Sequence, residues 1–398
     1  SKATFEDAIL WYATRMRFAT LMAVLLTACQ APSSSKPPTA TPNMPTANGR
    51  PKDISAKVET IRAEAKVPAL AGAVIGPHGV IAIGVAGVRK QGDPTPATVE
   101  DKWHLGSDTK AMTSVLIGML VDEGKLTWDA KLPALLPPTI SFHPSFAEVT
   151  LAQLLAHRSG VGEVDAYPDI WAGMWSNQGE VTLQRAAIAA TVLARQPINT
   201  PGSAYAYSNF NYIIAGAILE RAGGTSWEDL MTTRLFQPLK MTSCGFGAPA
   251  ALQPGGQPWG HNGQTPVGVG QPADNPPALG PAGTVHCSLA DWGAFAALFF
   301  ASSDHALISQ ASIKRITTSW PGQQYGLGWL IKQREWAPGD VLFHAGSNTM
   351  FYCTAWIAPK ADRAYLAVTN TGGGALATDT LTASMLAAFP IADAAASP

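Results

Sequence analysis

Residues 106–120 read Gly-Ser-Asp-Thr-Lys-Ala-Met-Thr-Ser-Val-Leu-Ile-Gly-Met-Leu. The apolar residues after Lys110 recur at helical spacing, so this stretch predicts a helix that opens at Ser107. At about 3.6 residues per turn, Ser107 and Lys110 lie on the same face of that helix, one turn apart. A serine hydroxyl becomes a nucleophile when a base takes its proton, and a lysine serves as that base when burial lowers its pKa. The helix N-terminus also presents N–H groups where an oxyanion would develop.

The Ser-x-x-Lys pattern is weak evidence on its own. It occurs again at 33–36, within a Ser- and Pro-rich stretch where no helix would hold the pair together. Ser107 therefore needs independent support from the rest of the chain.

A second motif, Tyr207-Ser208-Asn209, follows a Pro-Gly turn and precedes a predicted helix at 209–221. A phenol near an ammonium group becomes phenolate-like and relays protons, and a side-chain amide holds a substrate carbonyl. The alternative, which the tripeptide alone favours, is a buried Tyr207 beside an Asn209 that caps the helix.

A third motif, His344-Ala345-Gly346-Ser347, ends an apolar run that begins at Val341. At the end of a strand the backbone can lie beside a substrate, and Ser347 offers an N–H group. Two other triplets have a Lys or His followed two positions later by Gly. They are 90–92, in a polar turn, and 261–263, in a Gly- and Pro-rich loop. The alternative for His344 is a solvated histidine at the end of a strand.

Together the motifs occur in the order Ser-x-x-Lys, Tyr-x-Asn, His-x-Gly, each in a suitable context. In this the chain resembles the serine β-lactamase and penicillin-binding protein family, particularly class C β-lactamases, His-x-Gly DD-carboxypeptidases, D-aminopeptidases and related esterases. The resemblance covers about residues 52–390 and includes the stretches 154–160, 201–209, 281–284 with Asp291, and 325–329. The sequence contains neither a Gly-x-Ser-x-Gly elbow nor a His-Glu-x-x-His metal helix.

The resemblance implies a role for each matching residue. Ser107 would form the acyl-enzyme, Lys110 would be its base, and Tyr207 would assist proton transfer to the leaving group and activate the deacylating water. Asn209 would contact the substrate, and His344 with Gly346 would line the opposite wall of the site. The N–H groups of Ser107 and Ser347 would form the oxyanion hole. His157 and Ser159 also match a family motif, which we interpret as a structural turn.

The expected substrates are small-molecule esters, amides or peptidoglycan-type peptides. Class C β-lactamases mostly carry Lys-Thr-Gly where this chain has His344-Ala345-Gly346, and Ala345 donates no hydrogen bond to a substrate carboxylate. The resemblance therefore leaves a D-alanyl-D-alanine carboxypeptidase or a weak class C-type β-lactamase as alternatives to an esterase or amidase. A non-catalytic binding module that kept the fold is the rival interpretation.

Predicted strands lie at both ends of the folded part, with helices between them. We therefore expect an α/β (α+β) fold of the β-lactamase/transpeptidase-like type: an antiparallel sheet built from both chain ends, flanked by helices, with a mainly helical insert. The predicted strands are 68–75, 80–88, 325–331, 341–345, 351–357 and 364–369, and the predicted helices are 53–66, 107–123, 150–156, 182–195, 209–221, 289–301 and 376–388. The loops 162–180 and 245–280 are expected to shape the substrate site.

The composition excludes several kinds of partner. Of 398 residues, 46% are hydrophobic and 14% are charged, which suffices for a large core. The 27 Lys and Arg residues against 28 Asp and Glu residues give a net charge of −1, so no nucleic-acid surface is predicted.

The four cysteines are Cys29, Cys244, Cys287 and Cys353. None lies in a Cys-x-x-Cys pair or near histidines at ligand spacing, so no metal site and no cofactor are predicted. If Cys29 is lipidated, at most one disulfide can form. Cys287 with Cys353 is one candidate pair, and buried free thiols are the favoured alternative.

The first fifty residues predict export. Met16-Arg17 precedes the apolar run 18–26, which is too short to span a bilayer and has the make-up of a signal peptide. Leu26-Thr27-Ala28-Cys29 resembles the lipobox of bacterial lipoproteins, so a lipid on Cys29 would be the only membrane attachment. The alternative is an ordinary signal peptide with an incidental cysteine.

We accordingly expect four segments in the chain. They are upstream residues and a signal peptide at 1–28, a disordered Ser-, Pro- and Thr-rich tether at 29–51, a hydrolase domain at 52–390 and a tail at 391–398. The expected location is the periplasm or the cell envelope.

Overall fold

The structure is a computed structural model that describes residues 50–252, 256–270 and 273–391. The predicted signal peptide, the lipidation site at Cys29, and most of the predicted tether and tail lie outside the described residues.

The described residues contain twelve strands: β1 (Lys52–Asp53), β2 (Ala69–Gly76), β3 (Gly79–Gly87), β4 (Trp103–His104), β5 (Gly245–Phe246), β6 (His261–Asn262), β7 (Thr265–Pro266), β8 (Val285–Cys287), β9 (Leu330–Gln333), β10 (Asp340–Ser347), β11 (Tyr352–Ala358) and β12 (Arg363–Thr369). The main sheet has the order β1-β3-β2-β12-β11-β10-β9, so both chain ends contribute to it as predicted. Its strands are antiparallel except for β1, which runs parallel to β3. Two smaller sheets have the orders β4-β8-β5 and β6-β7.

The described residues also contain thirteen α-helices: α1 (Ser55–Ala65), α2 (Thr109–Asp122), α3 (Leu132–Leu135), α4 (Leu151–Leu155), α5 (Pro168–Ser176), α6 (Val181–Ala194), α7 (Asn209–Gly223), α8 (Trp227–Leu230), α9 (Pro249–Leu252), α10 (Gly280–Gly283), α11 (Leu289–Ala297), α12 (Gln310–Ile316) and α13 (Ala375–Ala388). Six of them lie between residues 107 and 223, which confirms the predicted helical insert. No helix in the described part of the chain combines the length and the apolar character needed to cross a bilayer.

Strand β12 lies between the two halves of the main sheet. Ala367 pairs with Gly72 on β2, and Val368 pairs with Cys353 on β11. These strands are almost continuously apolar because helices cover both faces of the sheet. Helices α1 and α13 cover one face, and α11 covers the other. The core under α1 and α13 includes Val58, Ile61, Leu70, Val74, Tyr365, Leu381 and Met385.

The prediction of a strand over 325–331 was wrong for its first five residues, since β9 begins only at Leu330. Gly328 explains the difference, because its φ of +92° interrupts an extended conformation. A Cβ on Gly328 would also lie 2.8 Å from the Cα of Ala111. The segment therefore forms a tight turn against the start of α2.

The loop predicted at 162–180 contains helix α5, which the sequence analysis missed. Trp171 and Met174, three residues apart, are the buried positions of this helix. Gly162 comes before this helix and Pro168 opens it, and residues of both kinds are also typical of loops. Helix α12, between the predicted helix 289–301 and the predicted strand 325–331, was also missed.

The cysteine pairing differs from both interpretations of the sequence. Cys287 forms a disulfide with Cys244 and not with Cys353, and Cys353 is a buried free thiol. The pairing of β5 with β8 explains this, because it places the residue before β5 next to the end of β8. The disulfide thus links β5 to β8 in the small sheet β4-β8-β5. Strand β4 of the same sheet leads into Ser107.

Candidate active site

Ser107 lies in a short 3₁₀ turn, Gly106–Asp108, that leads directly into α2. Gly106 has a φ of +48°, a conformation that suits glycine. Within residues 103–120, Ser107 is the one residue that is not buried. The turn therefore presents a single reachable hydroxyl on an otherwise packed segment.

The end of strand β10 lies directly against this turn. A Cβ atom on Gly346 would overlap the carbonyl oxygen of Leu105, and a Cβ atom on Gly106 would overlap the backbone of Ser347. The His-x-Gly motif and the nucleophile turn are therefore in backbone contact. The residue before Ser107 thus packs on Ser347, so the two predicted oxyanion donors belong to adjoining segments.

Lys110 is fully buried one turn along from Ser107. Its Nζ lies 3.0 Å from Ser107 Oγ, 2.7 Å from Asn209 Oδ1 and 2.8 Å from the carbonyl oxygen of Ala282. Burial lowers the pKa of Lys110 to about 7, against the opposing effect of the negative charges of Glu163 and Asp108. Near neutral pH a large fraction of Lys110 is therefore the neutral amine.

The hydrogen bonds of Lys110 determine where its lone pair points. A neutral amine has two N–H groups and one lone pair, and the oxygens of Asn209 and Ala282 can only accept hydrogen bonds. The two N–H groups are therefore directed to those oxygens. The remaining direction, which carries the lone pair, faces the Ser107 hydroxyl.

Glu163 fixes this arrangement and was missed by the sequence analysis. Its carboxylate accepts hydrogen bonds from the backbone N–H of Asn209 and from Asn209 Nδ2, each at 2.6 Å. The amide nitrogen of Asn209 must therefore face Glu163, and its oxygen faces Lys110. Burial raises the pKa of Glu163 to about 7, against the hydrogen bonds from Asn209 that lower it. The sequence signal was a carboxylate three positions after the turn at Gly160.

Tyr207 completes the group around the nucleophile. Its hydroxyl lies 2.8 Å from Ser107 Oγ. Burial raises the pKa of Tyr207 well above its ordinary value, so the expected phenolate-like state is wrong. Tyr207 instead acts as a neutral hydroxyl, which can donate and accept a proton.

The segment around Tyr207 is held by the turn at 157–160. His157 is fully buried with a φ of +56°, and its Nδ1 accepts a hydrogen bond from the Ser208 N–H at 3.2 Å. Its ring also packs on Tyr207, with centroids 4.6 Å apart. This agrees with the structural role expected for His157. Helix α7 is capped by the Ser208 hydroxyl, so the alternative of a capping Asn209 was wrong.

His344 is buried on the wall formed by β10, and the expectation of a solvated histidine as its alternative was wrong. Its Nδ1 lies 2.9 Å from its neighbour's carbonyl oxygen, and its Nε2 lies 3.5 Å from the Tyr325 hydroxyl. Burial, together with the positive charge of Lys110, lowers the pKa of His344 to about 3. The imidazole is therefore neutral and brings no positive charge to the site.

Asp108 lies behind the nucleophile, fully buried between α2 and the main sheet. Its Oδ2 accepts a hydrogen bond from the Cys353 thiol at 3.4 Å, and its Oδ1 has no hydrogen-bond partner. Burial raises the pKa of Asp108 to about 8, although Cys353 and Lys110 act in the opposite direction. Asp108 is therefore mostly protonated at neutral pH.

The sequence-predicted site residues in the described part of the chain thus come together. Ser107, Lys110, Tyr207 and Asn209 share hydrogen bonds, and β10 with His344, Gly346 and Ser347 lies against them. Cys29 lies outside the described residues. Within residues 50–252, 256–270 and 273–391, no group of three or more His, Cys, Asp or Glu side chains is arranged to hold a metal ion.

Comparison with known proteins gives a family match over most of the chain. The family model described as Beta-lactamase matches residues 54–388. Penicillin-binding protein 4 of Amycolatopsis lactamdurans is 30% identical over 187 residues, which is 46% of this chain and 46% of that protein. The chain spans less than half the length of the curated relatives that it matches.

Solved structures share the fold. The octameric penicillin-binding protein homologue from Pyrococcus abyssi has a TM-score of 0.68 at 23% identity, over 83% of this chain and 77% of that chain. The D-amino acid amidase from Ochrobactrum anthropi SV3, complexed with L-phenylalanine amide, has a TM-score of 0.66 at 18% identity, over 83% of this chain and 97% of that chain.

The raised pKa of Asp108 predicts a pH-dependent gain in stability for Asp108→Asn. An acid whose pKa is higher in the folded than in the unfolded chain stabilises fully below its unfolded pKa, and this contribution is lost as the pH rises through the folded pKa of about 8. Between pH 4.5 and 7.5 the unfolding free energy of the variant should therefore rise relative to that of wild type by roughly 4 kcal/mol, at about 1.4 kcal/mol per pH unit. Urea denaturation at each pH measures this.

Asp122, at the other end of α2, is the matched control. Burial raises its pKa, but hydrogen bonds from Ser309 and Ser312 together lower it below the ordinary value. Asp122→Asn should therefore lose stability at pH 7.5 and recover it toward pH 3. A difference between Asp108→Asn and wild type that does not change with pH would contradict the neutral state of Asp108.

Proposed function

The chain belongs to the Beta-lactamase family, and from this premise we propose that it is a serine hydrolase in which Ser107 forms an acyl-enzyme and Lys110 accepts its proton. The observation that carries the proposal is the 3.0 Å contact between Lys110 Nζ and Ser107 Oγ, with the lone pair of the neutral amine directed at that hydroxyl. A pKa of about 7 suits Lys110 to this exchange near neutral pH.

Acylation then follows from the positions of the groups. The substrate carbonyl oxygen points between the N–H groups of Ser107 and Ser347, which stabilise the charge that develops on it. Ser107 Oγ attacks the carbonyl carbon as its proton moves to Lys110. Each N–H of such a pair typically contributes about 3 kcal/mol to the transition state.

The leaving group needs a proton, and Tyr207 is placed to deliver it. Its hydroxyl lies 2.8 Å from Ser107 Oγ, so it lies close to any atom leaving the carbon that Oγ attacks. Tyr207 donates its proton to the leaving group and is reprotonated by the lysine ammonium, which restores both groups. In deacylation water attacks the ester carbonyl while its proton passes through the Tyr207 hydroxyl to the Lys110 amine. The resulting ammonium then returns a proton to Ser107 Oγ as that oxygen leaves.

The substrate that the site fits best is a small ester or amide without a carboxylate near the scissile bond. The wall at His344 is neutral, and Ala345 donates no side-chain hydrogen bond. The D-amino acid amidase of similar fold supports an amide substrate, and the penicillin-binding relative supports a peptidoglycan-type one. D-Alanyl-D-alanine carboxypeptidase and weak class C-type β-lactamase activities are the second candidates.

We also propose that the protein is exported and attached to the cell envelope of a bacterium through a lipid on Cys29. The support is the sequence alone: a short basic segment at Met16-Arg17, an apolar run at 18–26 and the lipobox-like segment 26–29. Such a location would bring the site to peptidoglycan fragments and to exogenous esters.

A fluorophosphonate probe should label the wild-type protein at Ser107, and Ser107→Ala should remove the label. Lys110→Ala should slow labelling by about 100-fold or more, because the base is lost while α2 gains a good helix former. Lys125→Ala, in the exposed turn that follows α2, is the matched control and should label at the wild-type rate. In-gel fluorescence over time gives the rates.

Unimpaired labelling of Lys110→Ala would remove the lysine from the mechanism. A folded wild-type protein that takes no label would instead favour the non-catalytic binding module. Circular dichroism of each variant distinguishes a lost base from a lost fold.

The neutral wall predicts a preference for substrates without a carboxylate. The wild-type protein should have a higher kcat/KM on a short aryl ester than on nitrocefin or a D-Ala-D-Ala peptide. His344→Lys should raise the kcat/KM on the peptide relative to that on the ester by roughly 10-fold. The reason is that the lysine can form a charge-assisted hydrogen bond with the peptide carboxylate. His344→Gln keeps the wall neutral and should leave the ratio unchanged. A wild-type preference for the peptide would support the carboxypeptidase alternative.

Lipidation is tested by metabolic labelling with a palmitate analogue in a bacterial host. The wild-type chain should incorporate the label and fractionate with membranes, and Cys29→Ala should do neither, because no thiol remains at the lipobox. Cys353→Ala is the control for the buried free thiol and should behave as wild type. Label that persists in Cys29→Ala would rule out this anchor.

A further inference from the structure

The two N–H groups of the oxyanion hole are held by segments from distant parts of the chain. Ser107 follows β4, and Ser347 ends β10. A hole of this kind works only when both N–H groups keep a fixed separation, because both must reach the same oxygen atom. The residues that tie the two segments together therefore contribute to the rate without touching the substrate.

On the Ser107 side, the tie begins at His104. This side chain is fully buried, and its Nδ1 accepts a hydrogen bond from the Gly106 N–H at 3.0 Å. That bond stabilises the positive-φ conformation of Gly106. Because Nδ1 is the acceptor, the proton of the neutral ring is on Nε2. The Nε2 atom lies 2.7 Å from Asp274 Oδ1. The two groups are close, but the ring N–H does not point well enough at the carboxylate oxygen to form a regular hydrogen bond.

On the Ser347 side, the tie begins at Asn348. Its Oδ1 accepts hydrogen bonds from the N–H groups of Met350 and Phe351, at 3.2 and 2.9 Å, and so fixes the turn after β10. Its Nδ2 donates to Asp274 Oδ1 at 3.1 Å. Asn348 is 1% exposed, so this bond is shielded from water.

Both ties thus end on the same oxygen atom. We propose that Asp274 is a positioning residue that bridges His104 and Asn348 and thereby sets the separation of the two N–H groups of the oxyanion hole. The inference rests on the proposed function, because it assigns a role within that same site. Asp274 comes from the loop between β7 and α10, which the sequence analysis expected to shape the substrate site but not to support the nucleophile.

The neighbouring residue strengthens the same bridge. Asn275 Nδ2 donates to the Gly283 carbonyl at 2.7 Å, and Gly283 lies next to Gly106: a Cβ on Gly283 would stand 3.5 Å from the Gly106 carbonyl carbon. The loop is therefore anchored directly after Asp274, which helps to fix the position of its carboxylate. Asp274 keeps 14% of its side chain exposed, so substitution there does not open the core.

The test compares Asp274→Ala with Asp274→Asn in the full chain. Asp274→Ala removes the bridging oxygen and should lower kcat on an aryl ester by about 10- to 100-fold, with KM within about 3-fold of wild type. A phenylboronic acid, which forms a tetrahedral adduct on Ser107 with an oxygen in the hole, should lose affinity in parallel with kcat. Asp274→Asn keeps an acceptor oxygen for both partners and should retain kcat within about 3-fold.

Asp291→Ala is the matched control. Asp291 also ties a loop to the small sheet, since its Oδ2 accepts from the N–H and the hydroxyl of Ser243, at 2.7 and 2.6 Å. In the described part of the chain its hydrogen bonds join it to Ser243 and Ser288, which lie outside the segments that carry the oxyanion donors. Asp291→Ala should therefore lower the melting temperature without lowering kcat or the boronate affinity.

The outcomes separate this inference from the proposed function. If wild type reacts through Ser107 but Asp274→Ala keeps its kcat and boronate affinity, the positioning role is wrong and the hydrolase assignment stands. Equal losses in Asp274→Ala and Asp291→Ala would also overturn it, because they would reflect stability alone. If folded wild type neither turns over the ester nor binds the boronate, the proposed function fails and this inference fails with it.

Discussion

Gly346 on strand β10 passes so close to the Leu105 carbonyl that a Cβ atom there would overlap it, and Gly106 stands in the same relation to the backbone of Ser347. Because these two positions have no side chain, the end of the main sheet lies directly against the turn that carries Ser107. The rest of the site depends on this contact. It brings the start of α2 and the end of β10, which carry the two proposed oxyanion donors, into contact, and it places the strand of His344 beside the nucleophile turn.

The chemistry of the site depends on a balance between burial and charge at Lys110. Burial lowers its pKa, while the negative charges of Glu163 and Asp108 raise it. Burial also raises the pKa of Glu163 to about 7 and that of Asp108 to about 8. The three groups therefore titrate in the same pH range and influence one another, and the Asn209 side chain lies between Lys110 and Glu163.

Local pattern predicted the parts of the site that lie within one element. Helical spacing placed Lys110 over Ser107, and the end of an apolar strand located His344. Contacts that depend on loop conformation were not predictable in this way. Glu163 meets Asn209 across 46 residues, and the disulfide of Cys244 depends on the pairing of two short strands that carry no periodic signal. Tyr207 was located correctly, but its neutral state follows from burial, which the tripeptide does not encode.

The neutral wall and the strength of the base are two aspects of the same arrangement. The positive charge of Lys110 contributes to keeping His344 neutral, and by the same interaction a cation at position 344 would lower the pKa of Lys110 further. A site that attracts carboxylates through a lysine at that position needs more nearby negative charge to keep its base near neutrality. Here burial raises the pKa of both nearby carboxyl groups, Glu163 to about 7 and Asp108 to about 8, so each carries only part of a negative charge near neutrality. An uncharged wall is therefore the arrangement consistent with a base poised near pH 7, and it favours uncharged esters and amides as substrates.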